Sequence, residues 1–395
     1  MTKLVINNID VSGKRVFVRV DFNVPMDEFQ KITDDTRIRA ALPTINDLVD
    51  RKAKIILASH LGRPEGERNM KYSLQLVQQR LSRLLNREVL FATDCVGPDV
   101  EKAVAGLKEG DVLLLENLRF HKEEEDNDPE FSKSLSKLAD VYINDAFGTA
   151  HRGHASTEGI TKFIKQCGAG YLMKKEIDYF NRSVANPVRP VVAIVGGAKA
   201  STKIKVFMNL IDKVDKIIVG GGLAFTFYKS LGYDVGKNRY EENMLDSVKE
   251  IRQKAREKGV KFYLPVDFVV ADRLDPRATT KVVPGKEIPP DWVAPDIGPA
   301  SVTLFTEVLH DAKTIIWNGP MGVFEMDVFS RGTMAMVRAV ANAYALTIAG
   351  GGDTDVAIHR GGESDKFSFI STGGGAFLEL LEGKTLPAIA ALTDA

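Results

Sequence analysis

Residues 190–204 read Pro-Val-Val-Ala-Ile-Val-Gly-Gly-Ala-Lys-Ala-Ser-Thr-Lys-Ile. The apolar, mostly β-branched run over residues 191–195 predicts a short strand buried on both faces. Gly196 and Gly197 predict a tight turn in which the backbone can approach a ligand closely. The stretch is therefore typical of a strand that ends in a glycine turn within an α/β fold.

The residues after this turn predict the start of a helix. Ser201 or Thr202 can cap it. Lys199 and Lys203 are four positions apart, so on a helix they would share one face near its positive end. Backbone N–H groups and two ammonium groups favour an anion there, such as a phosphate. The P-loop spacing G-x-x-x-x-G-K-[ST] is absent. An ordinary structural turn also explains the two glycines, so the stretch alone leaves both interpretations open.

Size and composition narrow the class of protein. A chain of 395 residues is long enough for two domains. Its formal net charge of zero argues against a nucleic-acid or membrane-surface partner. Cys95 and Cys167 lie far apart without metal-like spacing, which favours a reduced, cytoplasmic setting. No apolar run approaches the ~20 residues that span a bilayer, and no signal peptide is expected.

Four β-rich runs in the first half alternate with helical patterns, which predicts a parallel sheet with right-handed crossovers. They cover residues 15–20, 54–58, 111–115 and 141–144. The carboxyl ends of such strands share one rim, where ligands bind. Polar side chains follow each run, and Arg37 in the next helical turn could join them. The set comprises Asp21, Asn23, His60, Arg63, Arg119, His151, Arg152 and His154.

Several Arg and His side chains on one rim of a protein without net charge indicate an anion site, because Arg suits bidentate recognition of carboxylate or phosphate. Any single Arg could instead form a surface ion pair. No carboxylate–His cluster at metal spacing accompanies them. The acidic run over residues 123–126 predicts a solvated loop and helix start.

Residues 171–185 have helical periodicity between flexible glycines and a proline-rich segment. We interpret them as a helix that bridges two domains, although an ordinary surface helix has the same pattern.

The second half again predicts strands alternating with helices, but glycines follow its strands. Gly-Gly or Gly-Gly-Gly clusters follow four runs and Asn-Gly-Pro follows a fifth, at residues 196–197, 220–222, 350–352, 373–375 and 318–320. A rim of this kind brings backbone donors and a flat surface to a nucleotide. Asp353 is placed for a cation that bridges phosphates, and Glu325 for ribose hydroxyls. The proline-rich residues 272–297 predict an extended excursion, and the dinucleotide fingerprint G-x-G-x-x-G is absent.

An arginine rim on one lobe and a glycine–lysine rim on the other predict a two-lobed phosphoryl-transfer enzyme that closes over a small anion and a nucleotide. The glycine rim has no evident general base. A phosphoryl transfer does not need one where the reacting oxygens are already ionised, because no proton has to be removed. A nucleotide-dependent phosphotransferase or ligase acting on small carboxylates, a dehydrogenase of doubly wound fold and a non-catalytic nucleotide-binding protein remain as alternatives.

Nine motifs in order give this chain a strong family resemblance. They are Arg19-Val-Asp-Phe-Asn-Val-Pro25, Asp35-Thr-Arg-Ile-Arg39, Ser59-His-Leu-Gly-Arg-Pro64, Glu116-Asn-Leu-Arg-Phe120, Asp145-Ala-Phe-Gly-Thr-Ala-His-Arg152, Gly196-Gly-Ala-Lys199, Trp317-Asn-Gly-Pro-Met-Gly322, Gly350-Gly-Gly-Asp-Thr354 and Ser371-Thr-Gly-Gly-Gly375. Along essentially its whole length the chain resembles phosphoglycerate kinases. Gly153 stands where the family usually has Ala, and Ala200 where it often has Val. Neither departure removes a charged group.

The resemblance implies an α/β fold of two doubly wound, Rossmann-like parallel-sheet domains joined by a bridging helix and hinge. Residues 1–170 would bind 3-phosphoglycerate or 1,3-bisphosphoglycerate, 171–187 would form the inter-domain helix, and 188–383 would bind the nucleotide. Residues 384–395 would pack back onto the first domain. The implied activity is reversible transfer of the acyl phosphate of 1,3-bisphosphoglycerate to Mg-ADP in glycolysis, by a cytoplasmic monomer.

The resemblance also implies roles for individual residues. The catalytic set is Arg37, Lys199, Gly350 and Gly373. The substrate-binding set is Asp21, Phe22, Asn23, Arg37, His60, Leu61, Gly62, Arg63, Arg119 and Arg152. The nucleotide-binding set, with ATP or ADP as co-substrate, is Gly197, Lys199, Lys203, Gly221, Asn318, Pro320, Glu325, Gly351, Gly352, Asp353 and Thr354. Asp353 would also bind Mg²⁺.

Overall fold

A computed structural model describes residues 2–395 and shows an α/β protein that divides into two compact units. The first unit runs to Asp178 and also includes Thr385–Ala395, and the second comprises Tyr179–Lys384. Each unit is built on a six-stranded parallel sheet. The predicted fold class, with two doubly wound parallel sheets, is therefore confirmed.

The sheet of the first unit has the strand order β3-β4-β2-β1-β5-β6. Its strands are β1 (Arg15–Val20), β2 (Lys54–Ala58), β3 (Leu90–Phe91), β4 (Val112–Leu114), β5 (Val141–Asp145) and β6 (Cys167–Ala169). The two central strands, β1 and β2, are almost wholly buried, as the apolar runs predict. The edge strands β3 and β6 were not predicted, since two or three residues are too few to show a strand pattern.

Helices cover this sheet. They are α1 (Thr36–Asp50), α2 (Gln75–Leu85), α3 (Pro98–Ala105), α4 (Lys122–Glu125), α5 (Pro129–Ser136) and α6 (Tyr171–Phe180), within which the boundary between the units falls. Asp128 caps α5 as predicted, because its side chain accepts a hydrogen bond of 2.8 Å from the Phe131 amide. A π-helix at Asn181–Ala185 follows α6.

The parallel sheet of the second unit has the order β15-β14-β13-β7-β8-β9. Its strands, with those of a smaller sheet, are β7 (Val191–Val195), β8 (Lys216–Val219), β9 (Lys261–Tyr263), β10 (Asp267–Ala271), β11 (Thr280–Pro284), β12 (Val293–Ile297), β13 (Thr314–Asn318), β14 (Leu346–Ala349) and β15 (Phe369–Ile370). The helices are α7 (Ile204–Leu210), α8 (Ala224–Ser230), α9 (Leu245–Glu257), α10 (Pro299–Leu309), α11 (Arg331–Ala341), α12 (Gly352–Arg360) and α13 (Gly374–Leu381).

The segment predicted as an extended excursion, residues 272–297, contributes β11 and β12, which pair with β10 in an antiparallel sheet of order β11-β10-β12. Pro284 ends β11 and Pro295 lies within β12. Both are edge strands, where a proline does not interrupt the hydrogen-bond ladder on its free side. The prolines therefore hid two strands from the sequence pattern.

The helix predicted to start at Ser201 or Thr202 instead begins at Ile204, and no side chain caps it. The Ser201 amide and hydroxyl donate to the Glu241 carboxylate, at 2.8 and 2.6 Å, so this cap residue is used elsewhere. Lys199 therefore lies in the turn after β7 rather than on a helical face shared with Lys203. The prediction of two lysines on one helix was wrong.

The C-terminal segment, with α14 (Pro387–Ala390), packs on the first unit. The Leu4 amide donates to the Thr393 carbonyl at 2.8 Å, and Leu386, Ile389 and Leu392 are buried. Burial of these apolar side chains holds the end of the chain in place.

Candidate active site

In the first unit a cavity of about 230 Å³ lies at the carboxyl ends of the strands. The chain leaves β1 towards β2 on one side and reaches β5 on the other, so this edge contains a topological switch point. The lining residues are Asp21, Asn23, Arg37, His60, Gly62, Arg63, Gly148, Thr149, Arg119 and Arg152. The structure thus brings together the polar residues that the strand pattern assigned to one rim, apart from His151 and His154.

Hydrogen bonds fix the acidic and amide side chains of this cavity. Asp21 accepts from Arg37 Nη1 at 2.8 Å, and Asn23 accepts from the Gly62 amide at 2.9 Å. Arg37 keeps 40% of its side chain exposed. A ligand can therefore approach the Arg37 guanidinium, which Asp21 holds in its orientation.

Arg119 is the buried cation of the cavity, at 3% exposure. Its Nη1 donates to the Gly62 carbonyl at 2.9 Å, and its Nε lies 3.2 Å from Glu125. Burial lowers the pKa of Arg119 to about 10, so it stays charged at neutral pH. Arg63 is exposed and forms no ion pair with any residue in the range 2–395, which leaves its guanidinium available to an anion.

A fully buried network supports the cavity from beneath. Arg19 Nε donates to Ser156 Oγ at 2.8 Å, and Ser156 Oγ donates to Glu124 Oε1 at 2.6 Å. Arg19 and Glu124 are both inaccessible to solvent. The prediction that residues 123–126 are all solvated was therefore wrong for Glu124, whose carboxylate is the counter-charge of a buried guanidinium.

This network also affects the protonation of the buried histidines. Burial, reinforced by Arg19 and Arg119, lowers the pKa of His60 well below its usual value, and burial lowers the pKa of His154 to about 3. Arg19 Nη2 lies 3.3 Å from His60 Nδ1. A guanidinium only donates, so Nδ1 accepts and the neutral ring carries its proton on Nε2.

In the second unit a larger cavity, of about 650 Å³, is bounded by the glycine turns after β7 and β8 and by the turn after β13. Of the predicted residues, Gly197, Lys199, Gly221, Pro320, Glu325 and Asp353 line it. Its apolar wall, which the sequence did not single out, includes Phe225, Phe268, Leu274, Val293 and Val323. A polar rim beside an apolar wall suits a ligand with a charged end and a flat apolar end.

Close backbone contact explains the glycines at the switch point of this sheet, between β7 and β13. The Gly196 amide donates to the Asn318 carbonyl at 2.9 Å, and the Gly197 amide to the Pro320 carbonyl at 3.1 Å. A methyl group on Gly196 would overlap the Pro320 and Gly319 carbonyls. The two turns therefore pack as backbone on backbone, and only Gly fits.

The two lysines of the opening stretch differ in their surroundings. Lys199 is exposed and lines the cavity. Lys203 is half-buried, and its ammonium group hydrogen-bonds the Asn318 side-chain oxygen. Asn318 in turn donates to the Gly350 carbonyl at 2.6 Å. Burial lowers the pKa of Lys203, opposed by the charges of Asp353 and Glu382.

The helix start after β14 carries the candidate metal ligand. Gly351, with φ +105°, precedes α12, and Asp353 lies exposed in its first turn. Thr354 Oγ1 accepts from the Gly319 amide at 2.7 Å and is buried, so it joins two turns rather than facing the cavity. Asp353 offers the hard oxygen ligand that Mg²⁺ prefers, and Mg²⁺ is commonly held by one carboxylate together with substrate phosphates.

Comparison with known proteins shows what kind of protein carries these two cavities. The family model described as phosphoglycerate kinase matches residues 6–384. The phosphoglycerate kinase of Geotalea uraniireducens is 63% identical over 98% of this chain and 96% of its own length, and that of Aquifex aeolicus is 54% identical over 100% and 99%. The solved structure of phosphoglycerate kinase from Coxiella burnetii superimposes with a TM-score of 0.92 at 43% identity, covering 98% of each chain.

The chain belongs to the phosphoglycerate kinase family. It is therefore an enzyme, a kinase of the transferase class with a glycolytic function. These relatives give no support to a ligase, a dehydrogenase or a non-catalytic nucleotide-binding protein. Members of the family use ATP or ADP as co-substrate, generally with Mg²⁺. No helix within residues 2–395 is both long and apolar enough to cross a membrane.

Several residues assigned by the family resemblance lie beside the cavities rather than in them. Phe22 and Leu61 are buried in the core. The Asn117 side chain accepts a hydrogen bond from the Leu61 amide and donates one to the Leu61 carbonyl. Lys203, Asn318, Gly350, Gly351, Gly352, Thr354 and Gly373 do not line the larger cavity but build the adjoining strand ends and helix starts. Gly148 and Thr149, which line the smaller cavity, were missed because no charge marks them.

Asp296 is a further carboxylate in the wall of the larger cavity, and it is 2% exposed. Burial raises its pKa to about 7, against hydrogen bonds from the Gly332 and Ile297 amides at 2.6 and 2.9 Å. Between the unfolded pKa near 4 and the folded pKa the native state holds a proton that the unfolded state lacks. Stability from this group therefore falls as pH rises through that window.

We expect the difference in free energy of unfolding between Asp296→Asn and the parent to shift in favour of the variant by roughly 2–3 kcal/mol as the pH rises from 5 to 7. Urea denaturation of both proteins across this pH range measures the difference. The contributions of ionisable groups that both proteins share cancel in that difference. The exposed Asp291→Asn is the control. A difference that stays constant with pH would contradict the assignment.

Proposed function

We propose that the chain catalyses reversible transfer of the acyl phosphate of 1,3-bisphosphoglycerate to Mg-ADP, giving 3-phosphoglycerate and ATP. The observation that carries this proposal is that a chain of this family has an arginine-lined cavity in one unit and a glycine- and lysine-lined cavity in the other. The first would bind the glycerate substrate and the second the nucleotide.

The glycerate substrate carries a carboxylate and phosphates, which match the cations of the smaller cavity. Arg63, Arg119 and Arg152 would neutralise it, and Arg37 would neutralise the migrating phosphoryl group. His60, with its proton on Nε2, would donate without adding charge. Asp21 and Asn23 are already engaged with Arg37 and Gly62, so they would orient the site.

The larger cavity would bind the nucleotide with its base against the apolar wall. Glu325, exposed on the lining, would accept hydrogen bonds from ribose hydroxyls. Asp353 would hold Mg²⁺, which supplies charge neutralisation to the phosphates. Lys199 would neutralise the phosphoryl group in transfer, and Lys203 would be positioned by Asn318.

No general base is required, because the attacking carboxylate or phosphate oxygen is ionised at neutral pH. The protein would act by positioning and by neutralising charge on the equatorial phosphoryl oxygens. Backbone N–H groups at the starts of α12 and α13, beside Gly350 and Gly373, would add to this neutralisation.

ATP formation from 1,3-bisphosphoglycerate and Mg-ADP tests the proposed reaction directly. The purified chain should form ATP only when both substrates are present. It should also consume ATP in the reverse direction with 3-phosphoglycerate. Absence of turnover in both directions would overturn the proposal. We further propose that the protein is a cytoplasmic monomer. Light scattering at micromolar protein concentration would test the monomeric state by measuring the molar mass.

Arg119→Ala is expected to weaken 3-phosphoglycerate binding by about 10–100-fold, since a charge-assisted hydrogen bond in a buried site contributes ~1.5–3 kcal/mol. Nucleotide affinity should be unchanged. Isothermal titration calorimetry measures both. The matched control is Arg15→Ala, because Arg15 begins β1 at the opposite edge of the same sheet and pairs with Asp140. An unchanged 3-phosphoglycerate affinity in Arg119→Ala would exclude the binding role.

A further inference from the structure

A cluster of three potential metal ligands lies in the first unit, outside the lining of the substrate cavity. Asp94 and Cys95 belong to the loop between β3 and α3, and His121 lies at the start of α4. One ligating atom of each lies within 4.8 Å of the other two. Among residues 2–395 this is the one group of three or more His, Cys, Asp or Glu side chains so arranged.

We propose that Asp94, Cys95 and His121 form a binding site for a zinc-class divalent cation. Three protein ligands with one open position form a common zinc arrangement, and its donors are thiolate, imidazole nitrogen and carboxylate oxygen. The soft thiolate selects zinc, or cobalt as its substitute, over the Mg²⁺ that accompanies nucleotides. The site is independent of the proposed reaction.

Local contacts already hold the three side chains together. His121 Nε2 lies 2.7 Å from Asp94 Oδ1, and the Cys95 amide donates to the same oxygen at 2.7 Å. The His121 ring packs on Phe131 with centroids 5.2 Å apart. The loop and the start of α4 are thus fixed relative to each other before any cation binds, which lowers the entropy cost of binding.

Access and charge also suit a cation. Cys95 is fully buried, whereas Asp94 and His121 keep 40% and 29% of their side chains exposed. A cation can therefore enter from their side and keep a water molecule in the fourth position. Arg68 Nη1, 4.0 Å from the other oxygen of Asp94, is the neighbouring cation, and Glu124 adds negative charge near Cys95.

Binding has a defined proton balance. The Cys95 S–H bond breaks, a bond from sulfur to the cation forms, and the proton leaves to solvent. The proton on His121 Nε2, which donates to Asp94 Oδ1 before binding, moves through solvent to Nδ1, so that Nε2 can coordinate the cation. The hydrogen bond between Asp94 and His121 is exchanged for two bonds to the cation.

Cobalt(II) titration of the chelator-treated full chain tests the site. We expect one equivalent to produce a thiolate-to-cobalt charge-transfer band, and zinc to displace it. Cys95→Ser should abolish the band, and His121→Gln should weaken binding by at least ~100-fold, since even an outer partner contributes ~10–100-fold. Absence of a thiolate band in the parent chain would overturn the proposal.

Two controls match the ligands. Cys167→Ser removes the other buried cysteine, and His359→Gln removes an exposed histidine that lies 2.9 Å from Asp355. Both should keep the band and the affinity. Where Cys95→Ser fails to fold, Asp94→Asn provides the same test through cobalt affinity. Unchanged affinity in both Asp94→Asn and His121→Gln would contradict the proposal.

Discussion

Lys199→Ala is expected to lower kcat by roughly 10²–10³-fold, the cost of one lost group that stabilises transition-state charge. Lys199 is exposed on the lining of the nucleotide cavity, and within residues 2–395 no carboxylate lies at ion-pair distance from it. Its charge is therefore free for the phosphoryl oxygens. Nucleotide affinity should change little, because the glycine turns and the apolar wall remain.

A steady-state assay with both substrates saturating measures this change in kcat. Lys205→Ala is the matched control, because Lys205 is an exposed lysine on the first turn of α7, outside the cavity lining. The control should retain parental turnover. A kcat within about twofold of the parent in Lys199→Ala would exclude a catalytic role for this lysine.

The parts of the fold that the sequence predicted are those with a strong local signal. Residues 191–195 are apolar and β-branched, and they form β7 with the predicted bounds. The glycines after it are required because backbone meets backbone at the switch point, as the Gly196–Asn318 hydrogen bond shows. A pattern that follows from burial or from steric demand is readable in one sequence.

What escaped prediction depends on partners distant in sequence. Ser201 resembles a helix cap but is held by Glu241, forty positions later. β12 contains Pro295 and still pairs with β10, because it lies at the edge of its sheet. No local pattern contains these competing contacts, so tertiary structure overrides the local preference.

The residues of the candidate site also divide into those that a local sequence signal predicted and those that it did not. Strand-end positions identified the residues around the cavity of the first unit, since parallel strands deliver their ends to one edge. Phe22 and Leu61 followed from resemblance alone, and their side chains lie in the core. Thr149 lines the cavity without any charge to mark it. The buried network beneath the rim has no sequence signature, because Glu124 stands within a run of acidic residues.

Glu124→Ala is expected to destabilise the first unit by about 3–5 kcal/mol, the cost of leaving a buried charge without its partner. Glu124 accepts from Ser156 through both its amide and hydroxyl, at 2.9 and 2.6 Å, and Ser156 joins it to Arg19. Removal of the carboxylate leaves the Arg19 guanidinium buried, and no other acidic group of residues 2–395 is hydrogen-bonded to it directly or through Ser156.

Urea denaturation, followed by a signal from the first unit, measures the loss for Glu124→Ala. Glu123→Ala removes the neighbouring acidic side chain, which is exposed, and should stay within ~0.5 kcal/mol of the parent. Glu124→Gln should lie between the two, since it keeps an acceptor for Ser156 but not the charge. Equal stability of the Glu123 and Glu124 alanine variants would show that Arg19 needs no counter-charge, and that its hydrogen bonds to neutral groups alone offset its burial.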